Sequence, residues 1–247
     1  MRCLVGAGWM IHEFAVNRTF TAAISAPTVP KEAIAVPECA EGALPSVYEL
    51  RIVLRGVSPL IWRRLLIPAE DSIADLHAAF QIAFAWDGTH LHRFVIHGRE
   101  YGHDSALVPR EVRLCELGLR LGERFTYEYD LTDDWLHDIR LEAIVPAQPG
   151  RRYPVLTGGH GSGPPENCGG AWAFLALREH HAGAPIKLLR MFGELLDAGP
   201  DQRIDELLGE RYCEFLELCR WTLVDHFDRR AANRQLRDRI GQTRSMG

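Results

Sequence analysis

Acids, an indole and an imidazole crowd together in "DLTDDWLHDI", residues 130–139, which holds Asp133, Asp134, Trp135 and His137. Adjacent carboxylates can bind a cation or move a proton. Asp also favours turns, because its carboxylate accepts hydrogen bonds from nearby backbone N–H groups. Trp135 suits a core anchor, since a buried indole removes on the order of 150–250 Å² from water. His137 lies two residues on and shares that face of a strand. It reads either as a buried, hydrogen-bonded neutral imidazole or as a ligand or thiol partner.

Two more groups carry possible chemistry. His90 and His92 alternate along "HLHRFVIHG" and share a strand face, which suits two metal ligands. Further ligands must then come from elsewhere, with His103, His137, Asp133 and Cys168 as the candidates. The loop "GSGPPENCGGAW" combines stiffening prolines with permissive glycines around Glu166 and Cys168. A helix is expected to begin just after Gly169 and Gly170, leaving backbone N–H groups unpaired. Such an end attracts anions or lowers a thiol pKa, so Cys168 with His137 or His160 can form a nucleophilic pair. The structural alternative is a docking turn whose glycines admit close backbone approach. At the C-terminal end, residues 220–247 carry seven Arg against three Asp. That excess can meet phosphates or an acidic partner, or be spent on Asp–Arg pairs within a solvated helix.

These residues need elements to hold them. Leu50, Ile52 and Leu54 alternate with Glu49, Arg51 and Arg55, the period of a half-buried strand. A turn at residues 56–59 separates them from a second alternation, Ile61, Arg63, Leu65 and Ile67 against Trp62, Arg64 and Leu66, so a hairpin is expected. Ser72 and Asp75 form a variant capping box ahead of Ile73, Leu76, Phe80 and Phe84 at helical spacing. A third strand is expected over 90–97 and a short helical turn over 114–119. Phe125, Tyr127 and Tyr129 make an aromatic strand, which pairs across the Asp-Asp-Trp turn with Trp135, His137, Ile139 and Leu141 in a second hairpin. The remainder, including "AWAFLALREHH" and "IKLLRMFGELLDAG", is helical. The fold class is α+β: antiparallel hairpins with an early packed helix, then a helical C-terminal segment.

The bulk numbers set bounds. In 247 residues, 47% are hydrophobic and 25% charged, which excludes a disordered or fibrous chain. A net charge of −5 gives no nucleic-acid footprint over the whole molecule, though it leaves room for a local basic patch. Six cysteines without a CxxC pair or zinc-finger spacing are expected to be reduced, in a cytoplasmic protein. No stretch reaches the ~18 apolar residues of a membrane span.

Five stretches, in order, resemble the plasmid pRiA4b ORF-3-like family: "VYELRIVLRGVSPLIWRRLLIP", "AFAWDGTHLHRF", "FTYEYDLTDDWLHDI", "YPVLTGGHGSGPPENCGG" and "HFDRRAANRQL". The resemblance implies an α+β domain whose relatives often travel on plasmids and mobile elements, some with a transposon-resolvase (TnpR) label. Thr132 stands where the family's turn usually has Gly, and Gly163 stands where many relatives have the first of two cysteines. A paired-thiol role is therefore not implied here. A serine recombinase needs a nucleophilic Ser among arginines and a DNA-binding helical module. The hairpin opening offers neither, so that activity is not carried over.

The sequence thus predicts a disordered extension over 1–44, one domain over 45–240 and a mobile tail over 241–247. Its expected function is a non-catalytic binding or accessory module of mobile elements, with a protein or nucleic-acid partner and no membrane. The expected binding face comprises His90, His92, Asp133, Asp134, Trp135, His137, Glu166, Cys168, Gly169 and Gly170. The rival expectations are a thiol- or divalent-metal-dependent enzyme using His90, His92, His137 and Cys168, and a nucleic-acid-binding accessory protein. No organic cofactor is indicated.

Overall fold

The computed structural model describes residues 46–102, 111–197 and 209–245. The expected extension over 1–44 and His103 lie outside the described residues. Seven strands form one sheet: β1 (Ser46–Leu54), β2 (Trp62–Pro68), β3 (His92–Ile96), β4 (Arg99–Gly102), β5 (Arg124–Tyr129), β6 (Trp135–Pro146) and β7 (Val155–His160). Their order is β4-β3-β5-β6-β1-β2-β7, and every neighbouring pair is antiparallel. The two expected hairpins are β1–β2, where Leu50 faces Leu65, and β5–β6, where Tyr127 faces His137.

Alternation sorts the two faces of the sheet. Leu50, Ile52, Leu54, Leu65, Ile67, Phe94, Tyr127, Ile139 and Leu141 are buried in the core. The opposite face carries charges that pair across strands, with Arg64 reaching Glu142 at 2.9 Å and Glu49 at 3.3 Å. Arg55 holds both oxygens of Asp138 at 2.8 and 2.6 Å.

Helix α1 (Ile73–Phe84) covers the core face with Ile73, Leu76, Phe80 and Phe84. Its start is the expected capping box: Ser72 Oγ accepts from Asp75 N, and Asp75 Oδ2 accepts from Ser72 N. Replacing Ser72 by Ala removes one of the orphan-donor contacts of the first turn. Urea unfolding should show S72A less stable by about 1 kcal/mol with an unchanged slope; an unaltered midpoint would mean the cap is redundant.

After β7 come α2 (Gly170–His180), α3 (Ala184–Asp197), α4 (Tyr212–Thr222) and α5 (Arg229–Ser245). The expected α+β class holds, with a helical C-terminal segment. Helix α5 packs on β7 and α1, and residues 241–245 continue it. Three features differ from expectation. Strands β4 and β7 lie outside the sequence expectation, because β4 has four residues and β7 runs through a Gly-Gly pair. Strand β3 starts at His92, so His90 precedes it and shares no strand face with His92. Cys168, Cys213 and Cys219 are free thiols, but Cys115 is disulfide-bonded, against the expectation of reduced thiols throughout. No described helix is long and apolar enough to cross a membrane.

Candidate functional site

The "DLTDDWLH" turn divides its side chains between two tasks. Its strand half points inward: Trp135 is 1% exposed and His137 fully buried. The His137 ring sits against Phe84, Trp86 and Tyr127, with centroids 4.8, 5.5 and 5.4 Å away. Nδ1 lies 3.3 Å from the Tyr127 carbonyl, and Nε2 has no hydrogen-bond partner among the described residues. Burial pushes its pKa down to about 3, so the imidazole is neutral and inside the core.

The acids of the turn bind the loops around it. Asp130 is 3% exposed and left-handed at φ 54°. Its Oδ1 accepts from Thr132 N at 3.1 Å and Asp133 N at 3.4 Å, while Oδ2 lies 3.4 Å from His90 Nδ1. Asp133 Oδ2 accepts from Gly169 N at 3.1 Å. A Cβ on Gly170 would stand 2.5 Å from the Asp133 carbonyl oxygen, at a φ of +78°. Only glycine permits that approach. Asp134 is exposed at φ 52°, and its N–H donates to Asp130 O at 2.7 Å.

Glu166 docks the same loop from its other side. It accepts from Tyr129 OH at 2.6 Å and from Asp87 N at 3.2 Å. Trp86 donates to Pro164 O at 2.9 Å and stacks on Tyr129 with centroids 4.7 Å apart. At Gly163 a Cβ would fall 1.8 Å from the Phe84 carbonyl oxygen, so no side chain fits there.

The candidate face is thus assembled in part, as docking contacts. The turn meets the Cys168 loop through Asp133 and meets His90 through Asp130. His92 pairs with Tyr129 across β3 and β5 and stacks on His77 with ring centroids 3.5 Å apart. Among the described residues no group of three or more His, Cys, Asp or Glu side chains is placed to hold a metal ion. The four-ligand set His90, His92, His137 and Cys168 is not brought together there, because His137 is buried under Phe84 and Trp86. The activated-thiol expectation is also corrected. Burial and the nearby Asp133 charge push the Cys168 thiol up to about 11, against any lowering by the start of α2. His160 lies 3.3 Å from the Leu60 carbonyl instead.

Two concavities lie where the C-terminal helices meet the sheet. The first, of about 660 Å³, lies between the end of α1, the loop 162–166, α4 and the first turns of α5. Arg63 lines it, 1% exposed on β2. Its Nε donates to Ala83 O at 2.7 Å, and Nη1 donates to Trp62 O at 2.8 Å and His160 O at 2.9 Å. The guanidinium lies between the rings of Phe227, 3.8 Å from the centroid, and Phe84, 4.8 Å away. Burial pushes its pKa down to about 9, which leaves it charged at neutral pH. The sequence signal was an arginine on the apolar side of the β2 alternation, between Ile61 and Leu65.

The second concavity, of about 500 Å³, lies between α5 and the sheet edge at β7. Asn233 anchors the helix by pairing both backbone groups of Leu156, at 2.8 and 2.9 Å. Arg151, Arg229, Arg230, Arg234 and Arg237 line the cleft and no carboxylate does. Among the described residues none of these five arginines forms an ion pair. Asp228 is held by capping α5, where Oδ1 accepts from Ala231 N at 2.9 Å. That hydrogen bond holds Asp228 below the usual carboxylate range, and the charge of Arg234 helps, an Asp–Arg interaction beside the cap.

Together these features define a class: an α+β protein with one core face on an antiparallel sheet, its polar motifs used to dock loops, and its clefts under C-terminal helices. The chain belongs to the plasmid pRiA4b ORF-3-like protein family, whose sequence model matches residues 46–184. That match ends before α4 and α5. The uncharacterized protein y4hQ of Sinorhizobium fredii is 32% identical over 136 residues, which cover 52% of this chain and 70% of that protein. The crystal structure of MM3350, a protein of unknown function from Methanosarcina mazei Go1, aligns with a TM-score of 0.54 at 24% identity. It covers 76% of this chain and 98% of that one, a likeness of fold alone.

Proposed function

We propose that this protein is a non-catalytic binding module and that its partner is the phosphodiester backbone of a nucleic acid. The observation that carries the reading is the arginine cleft between α5 and β7. Five arginines line it without a carboxylate, two of them, Arg151 and Arg229, already donating to Gln148 and to the Thr157 carbonyl. Self-repulsion at such a cleft is relieved by a polyanion, and arginine's planar fork suits phosphate oxygens. The net charge of −5 confines this attraction to one face. Non-catalytic binding agrees with a neutral, buried His137 and a Cys168 thiol pushed up to about 11. That the family is named for a plasmid reading frame supports placing this role on plasmid-borne DNA.

Fluorescence anisotropy of a labelled duplex DNA, titrated at several salt concentrations, tests this. Affinity should fall steeply with salt, because each phosphate neutralised releases counterions. The combined variant Arg230→Gln, Arg234→Gln, Arg237→Gln should bind more weakly and show a salt slope shallower by about one per arginine removed. No binding at low salt, or an identical slope in the variant, would overturn the reading.

A further inference from the structure

We propose that the 660 Å³ cavity beside Arg63 binds a small amphipathic anion, its carboxylate head toward the Arg63 guanidinium and its apolar body against Ile82, Leu223, Val224 and Phe227, apolar side chains of the lining that are not fully buried. The volume falls in the range of small-molecule sites, roughly 300–1,000 Å³. The cavity lies on the side of α5 formed by Ala231, Ala232 and Gln235, so it is separate from the arginine cleft.

Charge selects the ligand. A buried cation is ordinarily matched by a carboxylate, because its desolvation is costly. Arg63 has three backbone carbonyl acceptors and, among the described residues, no carboxylate within ion-pair distance. The carbonyls supply hydrogen bonds but no neutralising charge. Its Nη2 has no protein acceptor among the described residues, while the residue lines the cavity. The two acids along the wall are already engaged: Glu166 with Tyr129 OH and Asp87 N, and Asp228 with the first turn of α5. Arg220 and His226, both exposed, add cationic groups at the rim. One anionic head therefore finds an unmatched charge beside the cavity, and the apolar lining takes the body of the ligand out of water.

The test titrates the full chain with decanoate by calorimetry, with decanol as the uncharged control of equal chain length. Decanoate should bind saturably and at least about tenfold more tightly than decanol, the contribution of one charge-assisted hydrogen bond. An Arg63 variant can fail by unfolding, so the decisive variants lie at the mouth. Ala231→Trp, which fills the cavity from α5, should abolish binding. Arg220→Gln should weaken it several-fold. The arginine-cleft variant described above should bind decanoate like wild type, which separates failure here from failure of the nucleic-acid reading. Absence of saturable binding, equal binding of decanoate and decanol, or unchanged binding in Ala231→Trp would overturn the proposal.

Discussion

Replacing Arg63 by Met should lower the unfolding free energy by about 3–5 kcal/mol, near the upper end for a single substitution. The side chain ties the end of α1 to two strands, β2 and β7, that already pair with each other at Trp62 and His160. Nε caps the end of α1 at Ala83 O, and Nη1 bridges Trp62 O on β2 and His160 O on β7. Hydrogen bonds to a charged group contribute about 1.5–3 kcal/mol each, and a buried carbonyl left without a donor costs about 1–3 kcal/mol. Against this stands the recovered desolvation cost of the guanidinium, several kcal/mol. Three stranded carbonyls outweigh one relieved charge, so the net sign is destabilising. Methionine keeps most of the apolar stem and its packing between Phe84 and Phe227 but supplies no donor. Lysine keeps the charge, yet its single ammonium cannot span all three acceptors, so Arg63→Lys should fall between wild type and Arg63→Met. Urea unfolding of the three proteins gives the ranking. If Arg63→Met lies within about 1 kcal/mol of wild type, the clamp is not what holds α1 to this end of the sheet.

The same residue shows what the sequence could and could not convey. Period-two alternation placed β1, β2, β5 and β6 correctly, and Ser72 with Asp75 marked the start of α1, because those signals are local. It also placed Arg63 on the apolar side of its strand, but which carbonyls it would reach depends on the β2–β7 pairing, and β7 was not foreseen. "VLTGGH" has too little apolar alternation to announce a strand; it is paired by β2 on one side and by Asn233 of α5 near its start. The loop glycines were legible as close-approach positions, and the partners they approach, Phe84 O and Asp133 O, lie far away in the chain. Asp130 follows the aromatic alternation of β5, where period two alone puts it on the outward side. It is instead the buried organiser of the turn, and its position ahead of "LTDD" was the available hint. The arginines of α5 are visible as composition, but that no carboxylate lines their cleft is not, since that depends on where Asp228 is held by the helix cap.

His137 should make the fold sensitive to mild acid, and replacing it by Phe should remove that sensitivity. The folded-state pKa is pushed from its ordinary 6.5 down to about 3 by complete burial. The unfolded chain therefore takes up a proton near pH 6.5 that the folded chain refuses until near pH 3. Stability from this group is complete above pH 6.5 and is lost as pH falls through the interval, at about 1.4 kcal/mol per pH unit. Between pH 7.5 and 4.5 the loss amounts to about 2.7 kcal/mol. Asp87, Glu123, Asp138 and Asp228 are also held below their ordinary values, but their contributions are lost only as pH falls through the lower, carboxylate range. A phenyl ring keeps the edge contacts with Phe84 and Trp86 and gives up one long hydrogen bond to Tyr127 O. It also leaves no Nε2 without a partner, so the difference at pH 7.5 should be small and of either sign. The informative quantity is the change with pH. Urea midpoints measured from pH 7.5 to 4.5 should diverge, with wild type losing stability that His137→Phe retains. Parallel curves would mean that the imidazole is protonated in the folded protein, and hence that its ring is reached by water or by a proton acceptor. That result would return His137 to the list of groups able to do chemistry; divergence assigns it to the core, with Asp130 and Asp133 left as the residues of the turn that face the loops.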